Sequence, residues 1–265
     1  MSEQHGPWTI QQIIPVRDGL TISKPALSGS RDAVTWFSLG GGTDISPERY
    51  DRWAIYLGGF GTAAFTVGTQ EGRRLPPGGD PCITPSEGAP AASGEGKLFS
   101  PEPRDRRNHM VPAASGEQRL LSPGGLLVIP AGTLCGTRTA QGAIYTEIIM
   151  DREDMVMNER ITPGSVFELK DLIDYEESSV VNCDIVTNAS LRYALMAFDQ
   201  GTGLQPHRAP GNAIVTAIEG TGVIGYEGEE FELKEGESFR FAKDGLHSVT
   251  ARSGRFKMSL LLIRE

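Results

Sequence analysis

The stretches HRAPGNAIVTAIEG (His207–Gly220) and FAKDGLHSV (Phe241–Val249) decide the fold of this chain. Each carries one histidine, and glycines frame both, with Gly201 before the first and Gly236 before the second. Short β-type runs surround them and are separated by glycine-rich turns, a pattern that predicts an antiparallel barrel or sandwich. The predicted strands are Tyr193–Phe198, Ala213–Ile218, Gly222–Tyr226, Phe231–Leu233, Ser238–Phe241, Ser248–Ala251 and Arg255–Ile263.

The first half of the chain repeats this glycine frame. Three pairs of positions lie 112 residues apart, namely Gly116 with Gly228, Gly124 with Gly236, and Cys135 with His247. Upstream, Gly59 matches Gly220 at a separation of 161 residues, and 161 minus 112 predicts an insertion of 49 residues. We place this insertion at about residues 69–117. The repeat predicts an N-terminal domain over residues 1–160 and a C-terminal domain over residues 161–265.

The spacings of the two stretches resemble the motifs of the cupin family. Gly201, His207, Ala209, Ala213 and Gly220 fall at the spacing of the first motif, G-x5-H-x-H-x3-E-x6-G. Gly236, Ala242, Asp244 and His247 fall at the spacing of the second, G-x5-P-x-G-x2-H. With the repeat in the first half, the whole chain resembles a bicupin. The resemblance implies an all-β fold of two tandem cupin barrels, of the double-stranded β-helix or jelly-roll type. It also implies one divalent ion (Zn, Mn, Fe or Ni) per barrel, held by three imidazoles and a carboxylate.

The C-terminal domain keeps only part of the ligand set that the resemblance implies. His207 and His247 are present, but Ala209 stands at the second imidazole position and Ala213 at the carboxylate position. Methyl groups cannot bind a metal, and even a catalytic zinc usually has three protein ligands. In this respect the domain is similar to small bacterial single-domain cupins with incomplete ligand sets. His207 and His247 therefore form an incomplete metal site.

Three interpretations of the histidine pair follow. The two imidazoles could bind a divalent metal weakly, or act as catalytic acid and base without one, since imidazole titrates near neutrality. They could also be hydrogen-bonded relics of an ancestral site. Gln205, two residues before His207, and Asn212, beside the lost carboxylate position, are the candidates to complete a ligand-binding set with His207 and His247.

The metal-ligand positions of the N-terminal domain contain no histidine at all. Ser46, Glu48, Arg52 and Cys135 occupy them in the predicted alignment. Glu48 and Arg52 are four residues apart and could form an ion pair in place of a metal. Cys135 is expected to be a small buried side chain. We predict a scaffold role for this domain, with anion binding at Arg52 as the alternative.

The predicted insertion is rich in proline, which favours a long irregular surface excursion. It contains a duplication, since PAASGEGKLFSP (Pro90–Pro101) returns as PAASGEQRLLSP (Pro112–Pro123). The second copy is predicted to be the strand that leads into the second motif. The first copy is then a tolerated duplication in a surface loop, or else a lid or an extra edge strand.

Composition limits the classes of partner. A net charge of −9 over 265 residues argues against nucleic acid or an anionic membrane, because both favour basic proteins. The start MSEQHGPWTI lacks a basic end followed by an apolar run, so no secretory signal is predicted. Three cysteines without metal-type spacing favour a reducing compartment. We expect a cytoplasmic protein with a small-molecule ligand and, since two-fold assemblies are common, a homodimer.

Two functions remain open at this point. The chain is interpreted first as a bicupin that binds a small polar metabolite around His207 and His247, with or without a weakly held metal. The alternative is a cupin enzyme of isomerase, hydrolase or lyase type, acting on a small sugar, ureide or keto acid.

Overall fold

A computed structural model describes residues 6–29, 31–68 and 116–264. These residues form two short helices, α1 (Ile10–Ile13) and the 3-10 helix Leu169–Leu172, and no described helix is long and apolar enough to span a bilayer. The all-β prediction is confirmed. The strands are β1 (Trp8–Thr9), β2 (Thr21–Ser28), β3 (Ala33–Leu39), β4 (Asp44–Arg49), β5 (Trp53–Gly61), β6 (Ala63–Gly68), β7 (Gly116–Leu121), β8 (Gly125–Ile129), β9 (Leu134–Arg138), β10 (Ala143–Met150), β11 (Val156–Met157), β12 (Val166–Glu168), β13 (Val180–Thr187), β14 (Leu191–Phe198), β15 (Gly203–Arg208), β16 (Asn212–Tyr226), β17 (Glu229–Lys234), β18 (Glu237–Phe241), β19 (Leu246–Thr250) and β20 (Phe256–Ile263).

The N-terminal barrel consists of two sheets that face each other. One has the strand order β12-β8-β5-β10-β3-β2 and the other β4-β9-β6-β7. Their facing sides bury Tyr56, Phe65, Leu127 and Tyr145, because alternate residues of each strand point inward. Strand β7 lies in the second duplicated copy, of which residues 116–123 are described. The first copy and most of the predicted insertion lie outside the described residues.

The C-terminal barrel is built around the 15-residue strand β16, which pairs with β18 and β20 in its first part and with β17 and β19 in its second. Two separate strands, Ala213–Ile218 and Gly222–Tyr226, were predicted here, and this prediction was wrong. The register shifts between Ala217 and Glu219, so the glycine-rich segment is a bulge in one continuous strand. Gly220 has φ +74°, and a Cβ there would lie 2.3 Å from the Arg255 carbonyl oxygen.

The structure corrects the alignment of the two halves. The glycine equivalent to Gly220 is Gly61, with φ +60°, where a Cβ would lie 2.2 Å from the Gly142 carbonyl oxygen. The offset between the first motifs is therefore 159 residues (220 minus 61), not 161. Across β4 and β9, Glu48 pairs with Cys135, just as His207 pairs with His247 across β15 and β19. Glu48, and not Ser46, thus takes the place of His207. The extra length between the motifs becomes 47 residues (159 minus 112).

The two barrels pack on each other through their larger sheets and exchange strands. A core shared by both barrels includes Trp36 and Ile148 from one and Tyr193 and Leu261 from the other. Strand β1 joins the C-terminal sheet by pairing with β18, and β12 joins the N-terminal sheet by pairing with β8. Pairing therefore crosses the predicted boundary at residues 160 and 161, while the domain ranges stay a prediction.

Candidate functional site

His207 and His247 face each other across two paired strands of the C-terminal barrel. They are register partners on β15 and β19, and their ring centroids are 4.2 Å apart at an interplanar angle of 52°. His207 is exposed, whereas His247 is buried. The Phe241 ring stacks on the inner side of His247 at 4.1 Å. The pair therefore consists of one solvent-exposed and one buried imidazole that face each other.

Backbone carbonyls fix the orientation of both imidazoles. The Nδ1 atom of His207 lies 2.8 Å from the Gln205 carbonyl oxygen, and that of His247 lies 3.1 Å from the Gly245 carbonyl oxygen. Because a carbonyl only accepts, each Nδ1 carries a proton, and each Nε2 of the neutral ring is left as an acceptor. Burial lowers the pKa of His247, and the neighbouring His207 lowers it further, against the opposing effect of the Gly245 carbonyl. The surroundings of His247 therefore favour its neutral form.

The interior of the barrel beneath this pair is apolar and filled. Ala209 and Ala213 are buried in a core with Tyr226, Phe239 and Phe241, whose rings are 5.4 to 5.6 Å apart. The exposed His207 ring is therefore the accessible side of the pair.

The donor set does not fit a tightly held divalent ion. His207 and His247 supply two Nε2 atoms, and the walls at the other two ligand positions are methyl groups. Within the described ranges, no group of three or more His, Cys, Asp or Glu side chains is close enough to hold a metal. Two imidazoles without a third protein ligand fall short of the set that even an open catalytic zinc site uses.

The structure does not bring Gln205 and Asn212 together with the histidines in the same way. The Gln205 side chain is exposed on β15, and its backbone carbonyl is the group that holds His207. Asn212 alternates with the inward-facing Ala213, and its Oδ1 accepts a hydrogen bond from the Lys243 backbone N–H at 3.3 Å. Asn212 therefore stabilises the 242–245 turn that leads to His247.

Comparison with known proteins identifies the barrel that carries the pair. Residues 194–264 match the family model described as "Cupin domain". The C-terminal barrel is a cupin domain. Among curated proteins, none matches this sequence.

Solved cupin structures share the fold of the whole chain. A Cupin 2 conserved barrel domain protein from Leptotrichia buccalis superposes with a TM-score of 0.71 at 21% identity, covering 97% of this chain and 96% of that chain. A salicylate 1,2-dioxygenase from Pseudaminobacter salicylatoxidans superposes with a TM-score of 0.57 at 11% identity, covering 97% of this chain and 83% of that chain. At these identities the likeness shows the fold alone.

The N-terminal barrel contains a polar cluster that sequence reasoning missed. Glu48, Tyr56, Cys135, Tyr145 and Glu147 line a cavity of about 30 Å³, a volume with room for about two water molecules. The signal was a glutamate at an inward position of the largely apolar strand β10, AIYTEIIM. Such a buried acid is rare unless it has a polar partner.

Burial disfavours the charged forms of Glu147 and Cys135. It raises the pKa of Glu147, although the Tyr56 and Tyr50 hydroxyls beside the carboxyl favour its charged form and oppose the rise. Burial likewise raises the pKa of Cys135 to about 12, again opposed by Tyr56. A protonated thiol is a poor nucleophile and a poor metal ligand. The geometry therefore supports a hydrogen-bonded polar core in this barrel.

Arg52 lies outside this cluster, and the predicted ion pair with Glu48 is wrong. Its Nε is 2.8 Å from Asp151 Oδ1 and its Nη2 is 3.8 Å from Asp32 Oδ1, so carboxylates of other loops take its charge. Its Nη2 also donates to the Arg31 carbonyl. With these partners the guanidinium is already neutralised, which disfavours anion binding at Arg52.

Proposed function

We propose that the cupin domain binds a small polar metabolite at the mouth of the C-terminal barrel, through the Nε2 atoms of His207 and His247 and without a tightly held metal. One observation carries the proposal: backbone carbonyls fix both imidazoles in the tautomer that leaves Nε2 as an acceptor.

The chemistry of the pair narrows the ligand class. A neutral Nε2 accepts a hydrogen bond and cannot donate one, so the ligand must offer O–H or N–H groups. Two acceptors on rings 4.2 Å apart suit neighbouring hydroxyls of a sugar or the N–H groups of a ureide. A keto acid offers chiefly acceptors and fits less well.

Histidine NMR tests this proposal. The chain has four histidines, so ¹³Cε1-labelled protein gives few ring signals, and His207→Gln and His247→Gln assign the two of interest. Titration with monosaccharides, allantoin and pyruvate is expected to shift both signals together and saturably for a sugar or the ureide, and not for pyruvate. The signals of His5 and His109 serve as internal controls. The proposal fails if no hydroxyl-rich or N–H-rich compound moves either assigned signal.

A second function, proton transfer, is favoured by the unequal burial of the two rings. The Nε2 atom of the shielded His247 can take a proton from a substrate, and the imidazolium so formed can return a proton, so this one ring serves first as base and then as acid. An isomerase-type reaction would then exchange a carbon-bound proton of the bound sugar with solvent. Incubation of each binding compound in D₂O, followed by NMR, should show deuterium incorporation that is lost in His247→Gln.

A further inference from the structure

A cavity lies between the two barrels, away from the histidine pair. Its volume is about 220 Å³, and strands β3, β5 and β10 of one barrel and β14, β16, β18 and β20 of the other supply its walls. Trp8 and Trp36 form one side, with ring centroids 5.5 Å apart in an edge-to-face contact. Ile214 and Leu261 line the other barrel's side.

One buried polar atom in this cavity has no partner. The Tyr193 side chain is 1% exposed and lines the cavity, and its hydroxyl makes no hydrogen bond with any described residue. Ser259 lies beside it without reaching hydrogen-bond geometry. A buried hydroxyl without a partner is rare in folded proteins and destabilises them. The orphaned donor therefore indicates that something else accepts its proton.

The position of charge defines the ligand further. Glu168, Lys170 and Glu235 are exposed at the rim, whereas the deep walls are indole, aliphatic and hydroxyl groups. A charged ligand body would lose its hydration without an opposite charge to replace it. Flat indole walls favour stacking or edge contact with another ring. The volume exceeds that of an engineered apolar cavity that binds benzene, about 150 Å³.

We infer that the cavity between the barrels is a second ligand site, which takes an uncharged single-ring aromatic molecule carrying one hydrogen-bond acceptor for Tyr193. The site is independent of His207 and His247, and its occupant contacts both barrels at once.

Acetophenone and ethylbenzene are the probes, since they have similar shapes and only the ketone accepts a hydrogen bond. Isothermal titration calorimetry is expected to show saturable binding of both, with acetophenone about threefold to tenfold tighter, the ratio expected for one hydrogen bond. Tyr193→Phe should remove that ratio by weakening acetophenone alone. Leu57→Trp, which fills part of the cavity from its half-exposed wall, should weaken both probes.

Thermal unfolding without ligand supplies a second readout, in which the variant that binds acetophenone more weakly should be more stable. Tyr193→Phe is expected to raise the unfolding midpoint, because it removes an unpaired buried hydroxyl. Tyr145→Phe is the matched control, since the Tyr145 hydroxyl is buried, pairs with Thr137 at 3.2 Å and lies outside the cavity. That variant should lower the midpoint and leave both affinities unchanged.

Three results would overturn the inference. Wild-type protein could bind neither probe, or Tyr193→Phe could bind acetophenone as tightly as wild type. Tyr193→Phe could also lower the unfolding midpoint as Tyr145→Phe does, which would mean that an internal water already pairs the hydroxyl. None of these results bears on the histidine site.

Discussion

Asp32 joins the two barrels, and its replacement by alanine is expected to destabilise the whole protein. The carboxylate comes from the N-terminal barrel and is fully buried. Asn188 Nδ2 of the other barrel donates to both carboxylate oxygens at 3.2 Å, and the Ser190 hydroxyl donates to one of them. Arg52 supplies a positive charge at 3.8 Å.

The magnitude follows from the groups that Asp32→Ala leaves behind. Asn188 and Ser190 are themselves buried, so both lose a charged acceptor without gaining water. A hydrogen bond to a charged group contributes about 1.5–3 kcal/mol. Removing one partner of a buried ionic cluster costs about 3–5 kcal/mol. Arg52 keeps Asp151, which limits the loss on its side. We expect a loss of about 3–5 kcal/mol in the free energy of unfolding.

Urea denaturation followed by tryptophan fluorescence and by circular dichroism measures this loss. Asp184→Ala is the control, since Asp184 is half-exposed and pairs with Arg192 at 2.7 Å, and a surface pair contributes about 0–1 kcal/mol. A double-mutant cycle of Asp32→Ala with Asn188→Ala isolates the contact between the barrels. The reasoning is refuted if Asp32→Ala costs no more than Asp184→Ala, or if the cycle gives no coupling.

Four further predictions concern the sites. Protein purified without chelators should carry well under one equivalent of metal by mass spectrometry, and a stoichiometric ion lost in both His207→Ala and His247→Ala would contradict the donor-set argument. The lowered pKa of His247 means that the unfolded chain binds its proton first as the pH falls through about 6.5, so stability is lost below that pH. His247→Gln should lack this loss in urea titrations at pH 5–8. The raised pKa of Glu147 has the opposite effect on stability. As the pH rises past the ordinary value of 4.5, Glu147 ionises in the unfolded chain before it does so in the folded chain, so the free energy of unfolding falls. The stability of Glu147→Gln should therefore increase relative to that of wild type between pH 4 and 7. A difference in the free energy of unfolding that does not change with pH would refute this account of Glu147. Asp244 has φ +64° at the position where the N-terminal barrel has Gly132 at φ +78°. Asp244→Gly should therefore raise the free energy of unfolding measured in urea by about 0.5–1 kcal/mol. A lower free energy of unfolding would show that the Asp244 side chain contributes to stability.

The fold could be predicted because glycines in left-handed turns leave a spacing that survives when other residues change. Gly124 and Gly236 have φ +80° and +82° and mark the same turn in the two barrels. The two-residue error in the first motif has a physical origin in the run YLGGFG, where Gly58, Gly59 and Gly61 are alternatives. Only the contact of Gly61 with the Gly142 carbonyl identifies the bulge, and that contact is distant in sequence.

The histidine pair could be predicted as a pair, but its surroundings could not. Spacing brought His207 and His247 to facing strands, whereas the filling of the barrel beneath them depends on Phe239 and Phe241 from β18. The cavity between the barrels could not be predicted from the sequence either, since Trp8 and Tyr193, which both line it, are 185 residues apart (193 minus 8). Local patterns determine strands and turns, and the packing of distant strands determines cavities.

The pairing of Trp8 with Ser238 sets an order on synthesis of the chain. A ribosome delivers β1 long before β18, at about 5–20 residues per second, so this strand must wait for its partner. Until then, Trp36 and Ile148 of the N-terminal sheet are exposed to solvent, because Tyr193 and Leu261, which pack in the same core, have not yet been synthesised. Contacts of such separation form slowly. The nascent N-terminal half therefore exposes an apolar sheet face until the C-terminal half has been synthesised.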